Sequence, residues 1–299
     1  MLLPSSGISA PRNHIKSSQM KNIYKTAIAF FFLLTAITIA NGQVTYSTNY
    51  GDNKEAGHFK RINGIDMYYE IYGEGKPLIF LHGNGGAVRS SRAKIEYFKK
   101  YYKVIAIDSR GHGKSGDDLT KELTYVQMAD DISVLMDSLK IDSVFVSGQS
   151  DGGILGLLIA IHHPKKIAKL VTFGANIFPG KKAIYDEIDK MVMDTLKVTK
   201  DTHTIRLYKL LAYQPNITEK ELQQIKCPVL LMSGDRDVIR LEHTIKIFNN
   251  IENANLFVMP GGSHFGSYQK PELFNMLLMD FFNKPFSKLS TVEILTGKR

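Results

Sequence analysis

The sequence is poor in cysteine and, over its first 42 residues, has no acidic residue at all. A single thiol, Cys227, excludes an internal disulfide and any all-cysteine metal site. Flanked by Pro228 and an apolar run, it reads as buried and inert. No internal repeat or low-complexity tract is present, and 43% hydrophobic with 22% charged residues are ordinary globular values. The glycine-rich stretch 83–86 lacks the following Lys-Ser/Thr of a phosphate loop. No metal or nucleotide motif is found, so no cofactor and no metal is expected.

Charge of one sign is concentrated at the start. Lys and Arg number 38 against 29 acids, a net of +9 over 299 residues. Arg12, Lys16, Lys21 and Lys25 lie within residues 1–42, and an apolar run from Ala27 to Ala40 follows, ending in Asn41 and Gly42. As a helix, that run would reach about 21 Å at ~1.5 Å per residue, short of the roughly 30 Å bilayer core. Residues 1–42 are therefore expected to be a cleaved signal peptide, with Met20 where such a peptide would begin. The destination is periplasmic or secreted, and an uncleaved membrane anchor is the alternative. No cysteine near the cut offers a lipid attachment site. The remainder is 257 residues with 34 basic and 29 acidic side chains, a net of +5. Its charges interleave with no basic stripe among aromatics, so nucleic acid is not expected as a partner. No stable membrane association is expected after cleavage, and nothing specifies an oligomeric state.

Residues 43–56 are polar and read as a linker. Strand-like and helix-like segments then alternate across 57–283, ahead of a tail at 284–299. Strands are expected at 65–72, 77–81, 104–107, 144–146, 170–173, 229–232 and 256–259. Helices are expected at 125–139, opened by Thr124, at 154–162 and at 273–282. Such alternation predicts an α/β protein with a mostly parallel sheet and helices on both faces. The stretch 178–225 has no convincing strand, only helical patterns at 184–198 and 204–213, and reads as a short helical lid over the carboxyl edge of the sheet. Met191, Met193, Leu207 and Leu210 are apolar there, as any helix needs for its buried stripe.

Gly148-Gln149-Ser150-Asp151-Gly152 sits between an apolar strand and a helix, the context of a nucleophile elbow. A serine nucleophile needs a base, and that base needs an orienting acid. His264, in a flexible loop after the last strand, is the candidate base. His162 and His163 end a helix, His112 sits in a turn, and His58, His203 and His243 lie in polar surroundings. Two carboxylates follow the strand at 229–232. Asp237 is preferred as the acid, with Asp235 as a turn former.

The order Ser150, Asp237, His264 resembles that of the α/β-hydrolase superfamily, and the resemblance runs from about Arg61 to Phe282. It implies an α/β-hydrolase fold with an eight-stranded sheet, and it supports Asp237 as the second acid of a Gly-Asp-x-Asp loop. His82-Gly83-Asn84-Gly85-Gly86 resembles the family's oxyanion loop, implying backbone N–H donors at Asn84 and Asp151 and a bracing role for His82. Asp108 to Ser115 resembles a scaffold turn. Ser150-Asp151-Gly152-Gly153, His163-Pro164 and Phe173-Gly174-Ala175-Asn176 resemble the valacyclovir-hydrolase (biphenyl-hydrolase-like) branch. That branch cleaves α-amino-acid esters and implies Asp151, with Gly83, in substrate binding; the plainer reading of Asp151 is a helix cap. The expected activity is a serine hydrolase acting on a small-molecule acyl substrate. Cofactor-free perhydrolase, C–C hydrolase or peptidase chemistry are alternatives, as is a non-catalytic ligand-binding homologue.

Overall fold

Apolar runs buried on both faces build the centre of the sheet. In the computed structural model, which describes residues 46–297, β3 (Pro77–Leu81) and β5 (Val144–Gln149) are buried almost throughout, as expected where helices cover both faces. The expected signal peptide and its cut lie outside the described residues. The other strands are β1 (Gly57–Ile62), β2 (Ile65–Tyr72), β4 (Lys103–Ile107), β6 (Ile167–Phe173), β7 (Val229–Arg236) and β8 (Ala254–Ser263). They form one eight-stranded sheet in the order β1-β2-β4-β3-β5-β6-β7-β8. β2 runs antiparallel to β1 and β4, and the remaining pairs are parallel.

β1 is the strand the sequence pattern does not announce. Of its six residues only Ile62 is buried, so it carries no apolar alternation. A legible signal lies beside it: Asn63 and Gly64 take φ of 42° and 84° and close a two-residue hairpin pairing Ile62 with Ile65. The stretch read as a linker is also tied down. Gly51 and Asn53 donate backbone N–H bonds to the buried Glu70 carboxylate at 2.9 and 3.1 Å.

The helices are α1 (Arg92–Phe98), α2 (Tyr125–Ser138), α3 (Asp151–His162), α4 (Asp186–Val198), α5 (Thr202–Tyr213), α6 (Glu219–Leu222), α7 (Leu241–Asn249), α8 (Gly266–Gln269), α9 (Pro271–Asn283) and α10 (Thr291–Thr296). Thr124 caps α2, accepting from Gln127 N–H at 3.2 Å. The lid region holds α4, α5 and α6. Its α5 is fastened at both ends: Arg206 forms a two-pronged pair with Asp117 at 2.7 and 3.0 Å. Gln214, just past its end, accepts from Tyr125 N–H and donates to Leu123 O, both at 3.1 Å. Leu207 and Leu210 are buried.

Candidate active site

The site begins with a turn that only glycine permits. A Cβ on Gly148 would fall 2.1 Å from Gly152 O, and one on Gly152 would fall 2.2 Å from Leu81 O. β5 therefore passes into α3 with no room for a side chain two residues before or two residues after Ser150. Ser150 itself is held at φ 54°, ψ −120°, a sparsely populated positive-φ conformation that costs a residue with a side chain about 1–3 kcal/mol. Ser150 N–H donates to Phe173 O at 2.8 Å, and its carbonyl accepts from Gly153 and Ile154 N–H. These bonds hold the strain and leave Oγ at the carboxyl edge of the sheet.

His264, one residue past β8, reaches that hydroxyl. Its Nδ1–H donates to Asp237 Oδ1 at 2.6 Å, which leaves Nε2 as the acceptor for Ser150 Oγ–H at 3.0 Å. Asp237 is buried while Asp235 is exposed, so of the two carboxylates the sequence offered, the second faces the histidine. Asp237 Oδ1 also accepts from Ile239 N–H at 3.1 Å. Burial pushes the Asp237 carboxyl up, but the His264 charge and these hydrogen bonds bring it below its ordinary value. Burial pulls the His264 imidazole down, and the opposing attraction of Asp237, with a smaller share from Asp151, leaves it raised.

Four other histidines are engaged elsewhere. Ser109 N–H donates to His82 Nε2 at 3.1 Å, so Nδ1 carries the proton and donates to Gly83 O at 2.8 Å. His82 thus braces the loop after β3, and burial lowers it to about 4. His112 packs 5.1 Å from it and is lowered to about 3, chiefly by burial. His163 pairs with Asp130 at 2.8 Å. His243 does not lie in polar surroundings: it is buried against Phe178 and accepts Ile177 N–H at 3.0 Å. α7 turns it inward, which its polar sequence neighbours conceal. The turn from Asp108 is scaffold, with the Asp108 carboxylate accepting from Val88 and Lys114 N–H at 2.6 and 2.7 Å.

Gly83 comes so close to the elbow that a Cβ there would sit 3.1 Å from Ser150 Cβ. Beside it, Asn84 Nδ2 donates to Asp151 Oδ2 at 3.0 Å. The Asp151 carboxylate is buried, which pushes it up to about 6 despite that bond. The buried Tyr125 hydroxyl stands close enough for Asp151 to disfavour its ionisation, but it forms no well-shaped hydrogen bond among the described residues. The Asp151 carboxylate, in the first turn of α3, thus meets the loop after β3 through Asn84. Three contributors escaped the sequence reading. Gln149 Nε2 donates to His264 O at 2.8 Å and its Oε1 accepts from Ser267, fixing the histidine loop. Gly174 leaves no room for a Cβ beside the imidazole. The Asn84 side chain is the third, and none carries a local signature. A surface depression of about 530 Å³ lined by Phe59, Arg61, Asp66 and Lys114 shares no residue with this site.

A family model described as alpha/beta hydrolase fold matches residues 76–196, and with this sheet and site the chain is a hydrolase of the α/β-hydrolase fold. It is 28% identical over 246 residues to the human serine hydrolase BPHL, covering 74% of this chain and 84% of that protein. It is 26% identical over 273 residues to 2-hydroxy-6-oxo-6-phenylhexa-2,4-dienoate hydrolase of Comamonas testosteroni, covering 75% and 94%. A solved hydrolase structure from Pseudomonas aeruginosa matches with a TM-score of 0.64 at 21% identity, covering 78% of this chain and 100% of that one. The structural likeness speaks for the fold.

Proposed function

We propose that the protein is a serine hydrolase of carboxylic esters or related acyl bonds. The observation that carries this reading is the unbroken chain from Ser150 Oγ through His264 to Asp237, at 3.0 and 2.6 Å. Ser150 Oγ attacks the acyl carbon while its proton passes to His264 Nε2. The developing oxyanion meets the N–H groups of Asn84 and Asp151. Collapse of the intermediate expels the alcohol, which takes the proton from His264 and leaves an acyl-Ser150. Water, deprotonated by the same imidazole, then attacks the acyl carbon and releases the acid. Asp237 holds the imidazole in the required tautomer and stabilises its charged form.

Asp151 favours one substrate class. A buried carboxylate beside the nucleophile, poorly hydrated and with no ion pair among the described residues, attracts a cation more strongly than a surface acid would, so α-amino-acid esters fit better than plain acyl esters. The likeness to the serine hydrolase BPHL agrees with a serine nucleophile. The test is hydrolysis of nitrophenyl acetate by the parent protein, Ser150→Ala and His264→Ala. Both variants should be nearly inactive, and equal rates in all three would leave only ligand binding on a hydrolase fold. For the substrate class, Asp151→Ala should erase any preference for aminoacyl over acyl esters; an unchanged preference would remove Asp151 from substrate recognition.

A further inference from the structure

Both hydrogens of the Asn84 side-chain amide are in use. One goes to Asp151 Oδ2 at 3.0 Å, on the first residue of α3; the other goes to Leu207 O at 3.2 Å, inside α5 of the lid. A helix carbonyl has a second lone pair free for such a bond. One short side chain thus joins three pieces far apart in the chain: the loop after β3, the elbow helix and the lid.

The loop needs this support. Gly86 N–H and His82 Nδ1–H both end on Gly83 O, one residue before Asn84, and Gly85 follows at φ 66°. The Asn84 N–H donates to no acceptor among the described residues. It is the very group expected to meet the oxyanion, so its position must come from what grips the rest of the residue.

We propose that the Asn84 side chain is a positioning residue: by bridging the elbow helix and the lid it sets its own backbone N–H at the nucleophile. The seated lid and the formed oxyanion site are then one state. This inference rests on the serine-hydrolase reading. Truncation to alanine keeps the N–H and removes its grip, so the donor remains and drifts. Loss of a whole oxyanion donor costs about 10²–10³ in kcat, and a misplaced one should cost about 10–100-fold.

The test compares Asn84→Ala and the isosteric Asn84→Asp with the parent on nitrophenyl acetate, with functional sites counted by fluorophosphonate labelling of Ser150. The expected result is kcat per labelled site lower by about 10–100-fold with KM within about threefold, the pattern of a lost transition-state interaction. Asp151 faces Asn84, Tyr125 and His264, and the Asn84 bond favours its ionised form. The pH at which Asp151 protonation is felt in kcat/KM should therefore rise in Asn84→Ala, a change that general loosening would not produce. A kcat within twofold of the parent, or a loss fully explained by fewer labelled sites, would overturn the inference while the hydrolase reading stands. A parent without Ser150-dependent turnover would overturn both.

Discussion

Gly174 offers a sharp way to perturb the histidine without touching it. It follows β6 with φ 65°, and a Cβ built there would lie 2.8 Å from both Nδ1 and Cε1 of His264 and 3.2 Å from Asp237 Oδ2. Ordinary contacts between such atoms start near ~3.5 Å, so the ring must retreat by about 0.7 Å. That retreat comes out of the 2.6 Å bond to Asp237 or the 3.0 Å bond to Ser150. Displacements of about 1 Å cost about 10²-fold in rate, so Gly174→Ala should lower kcat by roughly 30–100-fold. The left-handed backbone adds its own cost of about 1–2 kcal/mol, equivalent to a fall of about 2–8 °C in Tm for a chain of this size. Gly64→Ala isolates that second effect, since Gly64 has φ 84° and nothing within 4 Å of a built Cβ. Esterase kinetics and thermal unfolding on both variants separate strain from displacement. Gly64→Ala should lose stability alone, and Gly174→Ala should lose both. Turnover within twofold of the parent in folded Gly174→Ala would refute the steric argument.

The acid limb of kcat/KM should lie above the ordinary imidazole value, because His264 acts when neutral and its pKa is raised. Asp237→Asn should move that limb downward, because only the weaker attraction of Asp151 then opposes burial, and cut turnover by about 10⁴-fold as triad acids do; a pH–rate profile with an unmoved limb would contradict this. Asp151 also carries a pH-dependent contribution to stability. Its folded pKa of about 6 exceeds the unfolded 3.8, so the folded state binds the extra proton and stability falls as pH rises through that window. Asp151→Asn should therefore be more stable than the parent by about 2–3 kcal/mol above pH ~7 and gain little below pH ~4, measured by urea unfolding; an equal gain at both pH values would count against it. Arg110 and Asp131 form a pair with side chains 1% and 0% exposed, bonded at 2.6 and 3.0 Å. Asp131→Asn strands the guanidinium and should cost about 3–5 kcal/mol, and a loss below about 1 kcal/mol in urea unfolding would show the charge is relieved elsewhere.

Local physics explains what was legible. The elbow could be read because its constraint spans five residues: Gly148 and Gly152 have no room for a Cβ whatever the rest of the chain does. The cap at Thr124 and the apolar runs of β3 and β5 depend on neighbours and periods of the same short range. Between Asp235 and Asp237 the sequence offered a preference for Asp237, which the family resemblance supported. The fold makes that choice where the β7–β8 register shifts between Gly234 and Arg236, leaving Asp235 in solvent and Asp237 beneath His264.

By itself, then, the sequence determined that a serine would stand on a strained turn, and in what order an acid and a histidine would follow it. Tertiary structure alone decided that His243 is buried, that Gly174 backs the imidazole, that Gln149 carries the His264 loop and that Asn84 ties α3 to α5. Those contacts join segments 66 to 123 positions apart. Their partners are chosen by where the sheet and helices pack, and no neighbour in the chain records that choice.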